Sequence, residues 1–258
     1  MNGRSPSLRK AADAVSTVER ATLVLSAFRE SWDFLTLADL VKATGLTKTT
    51  VFRLVTSLVA EGLLFQNEAN NTYGLGFLNL RLADVFLSSQ QVRTVAMPII
   101  RRIHAALNEN VALGVRDGDM TYDIEVLEST QMIVPSQTCG TPVFLHQSIP
   151  GRALLSDASP DDASAYLARH ARMLAALPGG NHQFHKNLRA IIKAGFASAP
   201  SGILVGGHTM AKVISGRGAV LAITLPLARY SHHLERRAKA LLTEGAQEIK
   251  DATRDDKN

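Results

Sequence analysis

The sequence predicts an α+β protein in two parts, an N-terminal winged helix-turn-helix and a larger C-terminal domain built on a mainly antiparallel sheet. Three observations carry this. Residues 36–75, TLADLVKATGLTKTTVFRLVTSLVAEGLLFQNEANNTYGL, read as two short helices around a Gly turn, followed by a polar-tipped hairpin. From Asn110 the apolar period changes from helical to alternating. An amphipathic stretch from Arg229 to Thr253 then closes the chain as a helix.

At 258 residues the chain can bury one large core or two modest ones. With 46% hydrophobic and 20% charged residues it has the composition of a globular protein, which sets disorder aside. No apolar run approaches the ~20 residues of a membrane-spanning helix. The basic N-terminus lacks the apolar segment of a secretory signal. The single Cys139 leaves no internal disulfide to form, and a cytoplasmic location is expected. A net charge of +5 permits nucleic-acid binding. Residues 1–77 nevertheless carry eight Lys or Arg against seven Asp or Glu, a net of +1, so the surplus is not concentrated in the helix-turn-helix.

The first helix is expected over Val15–Arg29, with Val18, Ala21, Thr22, Leu25 and Phe28 inward and Ser16 or Thr17 as its cap. Thr36 caps a second helix, Leu37–Ala43, which ends at Gly45 in a left-handed conformation. Thr47 caps a third helix, Lys48–Glu61, whose Val51, Leu54, Val55 and Leu58 form the inner stripe. The opposite face presents Lys48, Thr49, Phe52, Arg53 and Thr56. In a helix-turn-helix the second helix of the motif enters the major groove, with its N-terminal residues on base edges. Lys48 and Arg53 suit guanine acceptors or phosphates, and threonines suit phosphates and thymine methyls. Thr36, Thr47 and Thr50, beside the two helix starts, complete the candidate DNA-contacting set. Leu63–Gln66 and Tyr73–Leu75 are strands around a wing tip that lacks Lys and Arg, so it is expected to approach the DNA backbone through its asparagines and backbone amides, or only weakly.

Gly76–Gln90 reads as a connecting helix and Val92–Asn108 as the next, with Val95, Ile99, Ile103 and Leu107 on one stripe. Two strands flank the turn at Asp117-Gly118-Asp119. Met132–Ser136 is a third strand candidate, and Cys139–Pro142 turns the chain. Val143–His146 leads into a helix at Ile149–Leu155. Pro160–Leu174 and Asn187–Ala194 follow as helices, and Val205–Ile214 and Ala219–Leu225 as the last strands.

This order resembles the IclR family of bacterial transcriptional regulators over nearly the whole chain. The resemblance rests on LADLVKATGLTKTTVFRLVTSLVAEGLL with YGLG, and on GTPVFLHQSIPGRALL, LRAIIKAGF and GAVLAITLPLARY. It implies a winged-helix DNA-binding domain over 12–77, a linker helix over 78–91 and a GAF-like effector-binding and oligomerisation domain over 92–254. It also implies a homodimer or dimer of dimers on double-stranded operator DNA, and both repressors and activators occur in the family. The effector pocket it implies draws Val143, His146, Ser148, Ile149 and Pro150 from one segment. Ala199, Gly207 and Thr209 come from a second segment, and Thr224 and Pro226 from the last strand. These make an apolar cleft with hydroxyl and imidazole groups, suited to a small organic or aromatic acid. The helix start at Ile149–Gly151 would offer backbone N–H groups to a carboxylate. One departure stands out: the segment after Gly195-Phe196, acidic in the family, is here ASAPSGILVGGH, without a carboxylate.

The remaining candidates are weaker. His182-x-x-His185 and His232-His233 have no Cys or carboxylate partners in the sequence that complete a metal set, so no metal or cofactor is expected. Nothing by spacing orients a base toward Cys139, so no catalytic residue is expected. Two readings therefore stand: a ligand-responsive regulator, more readily a repressor, or an enzyme or sensor domain whose winged helix contacts protein instead of DNA.

Overall fold

The computed structural model describes residues 17–29, 34–133 and 137–253. They form two compact units that divide between Ser89 and Gln90. Residues 12–16, including the expected cap Ser16, and the tail 254–258 lie outside the described residues.

The first unit holds α1 (Thr17–Ser26) with a 3-10 turn at Ala27–Arg29, β1 (Leu35–Thr36), α2 (Leu37–Thr44), α3 (Lys48–Ala60), β2 (Leu64–Asn67), β3 (Thr72–Leu75) and α4 (Phe77–Ser89). Local chemistry sets the boundaries. Thr36 closes a capping box on α2: its hydroxyl accepts from Asp39 N at 3.2 Å while the Asp39 carboxylate accepts from Thr36 N at 3.0 Å. Gly45 ends α2 at φ 68°, and its N–H donates to Val41 O. Thr47 caps α3 by accepting from Thr50 N. The three strands pair antiparallel in the order β1-β3-β2. Val24, Phe28, Leu40, Leu64 and Tyr73 meet the α3 stripe Val51, Leu54, Val55 and Leu58 in one core. The inner stripe of α1 differs from the expected one: Val24 is fully buried whereas Val18 is 74% exposed. Thr22 also faces out, its hydroxyl donating to Val18 O.

The second unit begins with α5 (Gln91–Leu107), then β4 (Asn110–Asp117), β5 (Met120–Leu127) and β6 (Val143–Phe144). Helices α6 (Ile149–Ser156), α7 (Pro160–Arg169), α8 (Ala171–Ala175) and α9 (Gly180–Ala194) follow. The chain ends with β7 (Ala197–Pro200), β8 (Gly207–Ile214), β9 (Ala219–Pro226), a 3-10 turn at Leu227–Arg229 and α10 (His232–Ala252). All six strands are antiparallel, in the order β6-β5-β4-β9-β8-β7. Helices cover both faces. Ala112, Val220 and Ala222 pack with Ala153 and Leu154 of α6 and Leu188 of α9. Leu221 points the other way, where a Cβ built on Gly245 of α10 would sit 3.4 Å from it and 2.8 Å from Ile99 of α5.

Several expected elements shift. The strand expected at Met132–Ser136 is a bend over 131–133, and 134–136 lie outside the described residues; the third strand in chain order is β6 instead. The helix expected over Pro160–Leu174 breaks at His170 into α7 and α8. The helix expected from Asn187 starts at Gly180, and the final helix starts at His232, capped by Ser231. The strand β7, in the non-acidic segment, was not expected at all.

Two glycines of the winged helix test different constraints. A Cβ on Gly76 would stand 2.1 Å from Gly62 O, a backbone atom that cannot yield cheaply, whereas nothing lies within 4 Å of a Cβ on Gly45. Gly76→Ala is therefore expected to lose about 1–3 kcal/mol through overpacking. Gly45→Ala should lose about 1–2 kcal/mol from its left-handed backbone alone. Chemical denaturation followed by circular dichroism checks both, and a neutral Gly76→Ala would refute the close approach.

Candidate DNA interface and ligand cavity

The helix-turn-helix face is assembled by the caps and by the α3 stripe. With Val51, Leu54, Val55 and Leu58 buried, the opposite face of α3 exposes Lys48, Thr49, Phe52, Arg53 and Thr56. Phe52 is 54% exposed, an apolar group held in solvent at the centre of this face. Among the expected contacts, four threonines are already engaged within the fold. The Thr36 hydroxyl donates to Asp39 Oδ2 at 2.6 Å. Thr47 and Thr50 hydroxyls bond each other at 2.9 Å. Thr56 Oγ1 donates to Phe52 O at 2.9 Å. Lys48, Thr49 and Arg53 lie exposed and make no side-chain hydrogen bond or ion pair with the described residues. At the wing tip, Asn67 Oδ1 accepts from Ala69 N and Asn70 Oδ1 from Thr72 N. These asparagine carbonyls hold the turn, leaving their NH₂ groups as the donors.

In the second unit, a cavity of about 220 Å³ lies between α6 and one end of the sheet. Val143, Ser148, Ile149 and Pro150 line it from the β6–α6 segment, and Thr209 and Thr224 from β8 and β9. Ala199, Gly207 and Pro226, also expected there, are not among its lining residues. Ser148 caps α6 by accepting from Gly151 N at 3.0 Å, so one of the helix-start N–H groups proposed for a carboxylate is already occupied. Residues not expected from the sequence complete the wall: Thr121 and Asp123 of β5, Gln137, Thr138 and Thr141, and Ser201, Ile203 and Leu204.

Asp123 reaches the cavity because of a bulge. Leu113 pairs with Glu125 but Gly114 pairs with Asp123, so Ile124 is the extra residue. Residues paired across antiparallel strands share a face, and the skip turns Asp123 and Thr121 onto the face of Ala112 and Val126. The Asp123 carboxyl accepts from Gln137 Nε2 at 2.7 Å. Burial pushes its pKa up, against that bond.

His146 is absent from the cavity wall and 1% exposed. Its backbone N–H donates to Tyr166 Oη at 3.0 Å, and its Nδ1 lies 2.6 Å from the same oxygen. One hydrogen joins Nδ1 and the phenol oxygen, in a pair whose imidazole and phenol are both neutral. Burial, together with the nearby His170 and Arg152, depresses the His146 pKa to about 4. Arg152 Nε donates to His146 O at 2.9 Å and its guanidinium lies 5.7 Å from the Phe184 ring centre, so this basic group serves the core. Among the described residues no three His, Cys, Asp or Glu converge in a metal-binding arrangement, and no helix is long and apolar enough to cross a membrane.

A tandem of helix-turn-helix and ligand-sized cavity defines the class of one-chain transcriptional regulators, and comparison with known proteins narrows it. Residues 17–68 match the IclR helix-turn-helix domain and residues 85–251 match the bacterial transcriptional regulator IclR C-terminal domain. The chain belongs to the IclR family of bacterial transcriptional regulators. It is 25% identical over 258 residues to the acetate operon repressor of Salmonella typhimurium, covering 96% of this chain and 94% of that one. It is 30% identical over 151 residues to the regulator KipR of Bacillus subtilis, covering 58% of this chain and 60% of that one. This chain thus spans only about three fifths of KipR. An IclR homolog of Microbacterium hydrocarbonoxydans, solved in complex with 4-hydroxybenzoate, superposes with a TM-score of 0.76 at 23% identity, covering 93% of this chain and 99% of that one. A regulator of Alicyclobacillus acidocaldarius gives a TM-score of 0.79 at 17% identity, covering 93% of this chain and 99% of that one.

The neutral, buried His146 carries a pH consequence. The imidazole titrates near 6.5 when unfolded and near 4 when folded, so the unfolded chain binds more protons between those values. Its contribution is complete above pH 6.5 and is lost as the pH falls toward 4, by at most about 1.4 kcal/mol per pH unit. His146→Phe keeps the backbone bond to Tyr166 and is expected to flatten the fall in Tm between pH 6.5 and 5. An unchanged slope in scanning calorimetry would remove His146 as its source.

Proposed function

We propose that the chain is a cytoplasmic repressor that binds double-stranded operator DNA as a homodimer or dimer of dimers, and releases it in response to a small organic or aromatic acid. In this reading residues 12–77 bind DNA, 78–91 link, and 92–254 sense the ligand and oligomerise. The chain acts by binding and carries no catalytic role. The observation that carries the reading is α3, whose cap and buried stripe leave Lys48, Thr49, Phe52 and Arg53 together in solvent. Arg53 and Lys48 are the base and phosphate donors, Thr49 a second polar contact, and Phe52 an apolar partner for a thymine methyl. Thr36, Thr47, Thr50 and Thr56 support this face through the bonds they make within it.

Helix α4 supports self-association: no residue on it is buried, and Phe77, Leu80, Leu82, Val85 and Phe86 are all more than half exposed. The cavity beside α6 supports ligand binding, with Val143, Ser148, Ile149, Pro150, Thr209 and Thr224 as contacts. At about 220 Å³ it lies below the ~300–1,000 Å³ of drug-sized sites and suits a single ring or a short chain. Repression follows by linkage: a ligand with unequal affinity for the DNA-bound and free forms must shift operator occupancy.

Footprinting and fluorescence anisotropy on duplexes from the chain's own promoter region test the reading. Arg53→Ala is expected to lose about 1–3 kcal/mol per half-site and to relax specificity at one position. Lys48→Ala should weaken all sequences alike and lower the salt slope by about 1. Full specific binding by Arg53→Ala would refute the placement of α3. Sedimentation of Leu82→Glu/Phe86→Glu is expected to show a smaller assembly with weaker operator binding; an unchanged assembly would take α4 out of the interface.

A further inference from the structure

The inner wall of the cavity has a definite hydrogen-bonding polarity, which rests on reading that cavity as the effector site and narrows what it takes. Among the described residues Asp123 is its only ionisable lining residue, and none of the described lining residues is Lys, Arg or His. Gln137 turns its Nε2 to Asp123 Oδ2, which leaves Gln137 Oε1 buried without a partner. Thr121 Oγ1, on the same strand face as Asp123, is likewise buried and unpartnered. A buried acceptor with no donor costs free energy until a ligand or water supplies one. Across the sheet Gly114 keeps this corner clear: a Cβ there would stand 3.2 Å from Asp123 Oδ1 and 3.4 Å from Thr121 Oγ1.

Away from this corner the polar lining is made of hydroxyls. Thr209 and Thr224 share one hydrogen bond at 3.2 Å, which leaves one of their two hydroxyl hydrogens free to donate. Ser148 Oγ accepts from Gly151 N and keeps its own hydrogen for a ligand, while the nearest cation of α6, Arg152, is held on His146 O and is not a lining residue. A ligand carboxylate placed in this corner would face the Asp123 carboxyl and the unpartnered Gln137 Oε1, with no cation among the described lining residues. The acidic group missing after Gly195-Phe196 thus has a counterpart from β5, brought in by the bulge at Ile124.

We propose that Asp123 and Gln137 determine effector specificity by accepting hydrogen bonds from a hydroxyl or amino group of the ligand, and that a ligand's carboxylate, where it has one, points away from them. A para-hydroxyl or para-amino group on a small aromatic acid is the matching chemistry.

The test is isothermal titration of the full-length chain with benzoate, 4-hydroxybenzoate, 4-aminobenzoate and benzyl alcohol. The wild type is expected to bind the two para-substituted acids about 10-fold or more tighter than benzoate. Asp123→Leu should shrink that gain to less than about 3-fold, and Asp123→Asn, which keeps the side-chain shape and adds a donor, should tighten benzoate while weakening the para preference. Equal binding of benzoate and 4-hydroxybenzoate, a para gain that survives both substitutions, or a wild-type chain that none of the four compounds binds would overturn the proposal. Ile203→Trp, at a 46% exposed lining position, separates the two levels of inference. If the compounds bind Ile203→Trp and Asp123→Leu with wild-type affinity, they occupy another site, and it is the assignment of the cavity that falls.

Discussion

The constraint on which the C-terminal domain depends is the double burial of β9. Every residue from Ala219 to Leu225 is buried, so a strand with a side-chain period of two must satisfy two cores at once. Val220 and Ala222 serve the layer of α6 and α9, and Leu221 the layer of α5 and α10. The next residue on the first face is Thr224, directly opposite Thr209 in register, and their hydroxyls share a hydrogen bond. One hydrogen bond between two hydroxyls lowers the cost of burying them and leaves one hydrogen to be offered to the cavity. The pair marks the line where close packing stops and the cavity starts.

The same face continues across β4 to β5, and there the bulge changes what it carries. A one-residue slip in a strand exchanges its two faces. Ile124 introduces such a slip locally, so β5 presents Val126 to the core and then Asp123 and Thr121 to the cavity. The core and the ligand wall are thus one surface, apolar where α6 covers it and polar where α6 begins. That continuity explains why His146, two residues before the lining residue Ser148, is not among the lining groups. It turns inward to Tyr166, in a ring cluster with Phe144 and His170, and secures the entry of α6.

The winged helix was legible from sequence because its boundaries are set by contacts three residues apart. Thr36 with Asp39, Thr47 with Thr50, and Gly45 after α2 are local chemistry that any reader of the chain can apply. The cavity was only half legible. Its β6–α6 side sits in a recognisable motif, but Tyr122, Ile124 and Val126 alternate cleanly, which assigns Asp123 to solvent unless the bulge is known. Gly114 opposite was the available signal, since Gly in a strand often marks a bulge or close approach. The strand β7 was hidden for another reason. Ala-Ser-Ala-Pro has little β propensity, and it pairs only because β8 offers a free edge, with Pro200 tolerated there. His146 was misplaced because a polar residue in an apolar motif reads equally well as a ligand contact or as a satisfied core group.

The division of labour within α3 bears on how such a chain can be switched. Most of the hydroxyls near its start stabilise the fold, leaving few groups for DNA, and residues 1–77 carry a net charge of only +1. Non-specific affinity comes from phosphate neutralisation, so a head with so few cations holds random duplex weakly. In the proposed reading, specific occupancy comes from several copies acting on one operator, each with a small contribution. That condition favours control by a small ligand, because couplings of about 1–3 kcal/mol change affinity about 5–150-fold. Against a strongly basic head the same coupling would move the protein only from specific to non-specific DNA. Against this one, in the proposed reading, it would be enough to clear the operator.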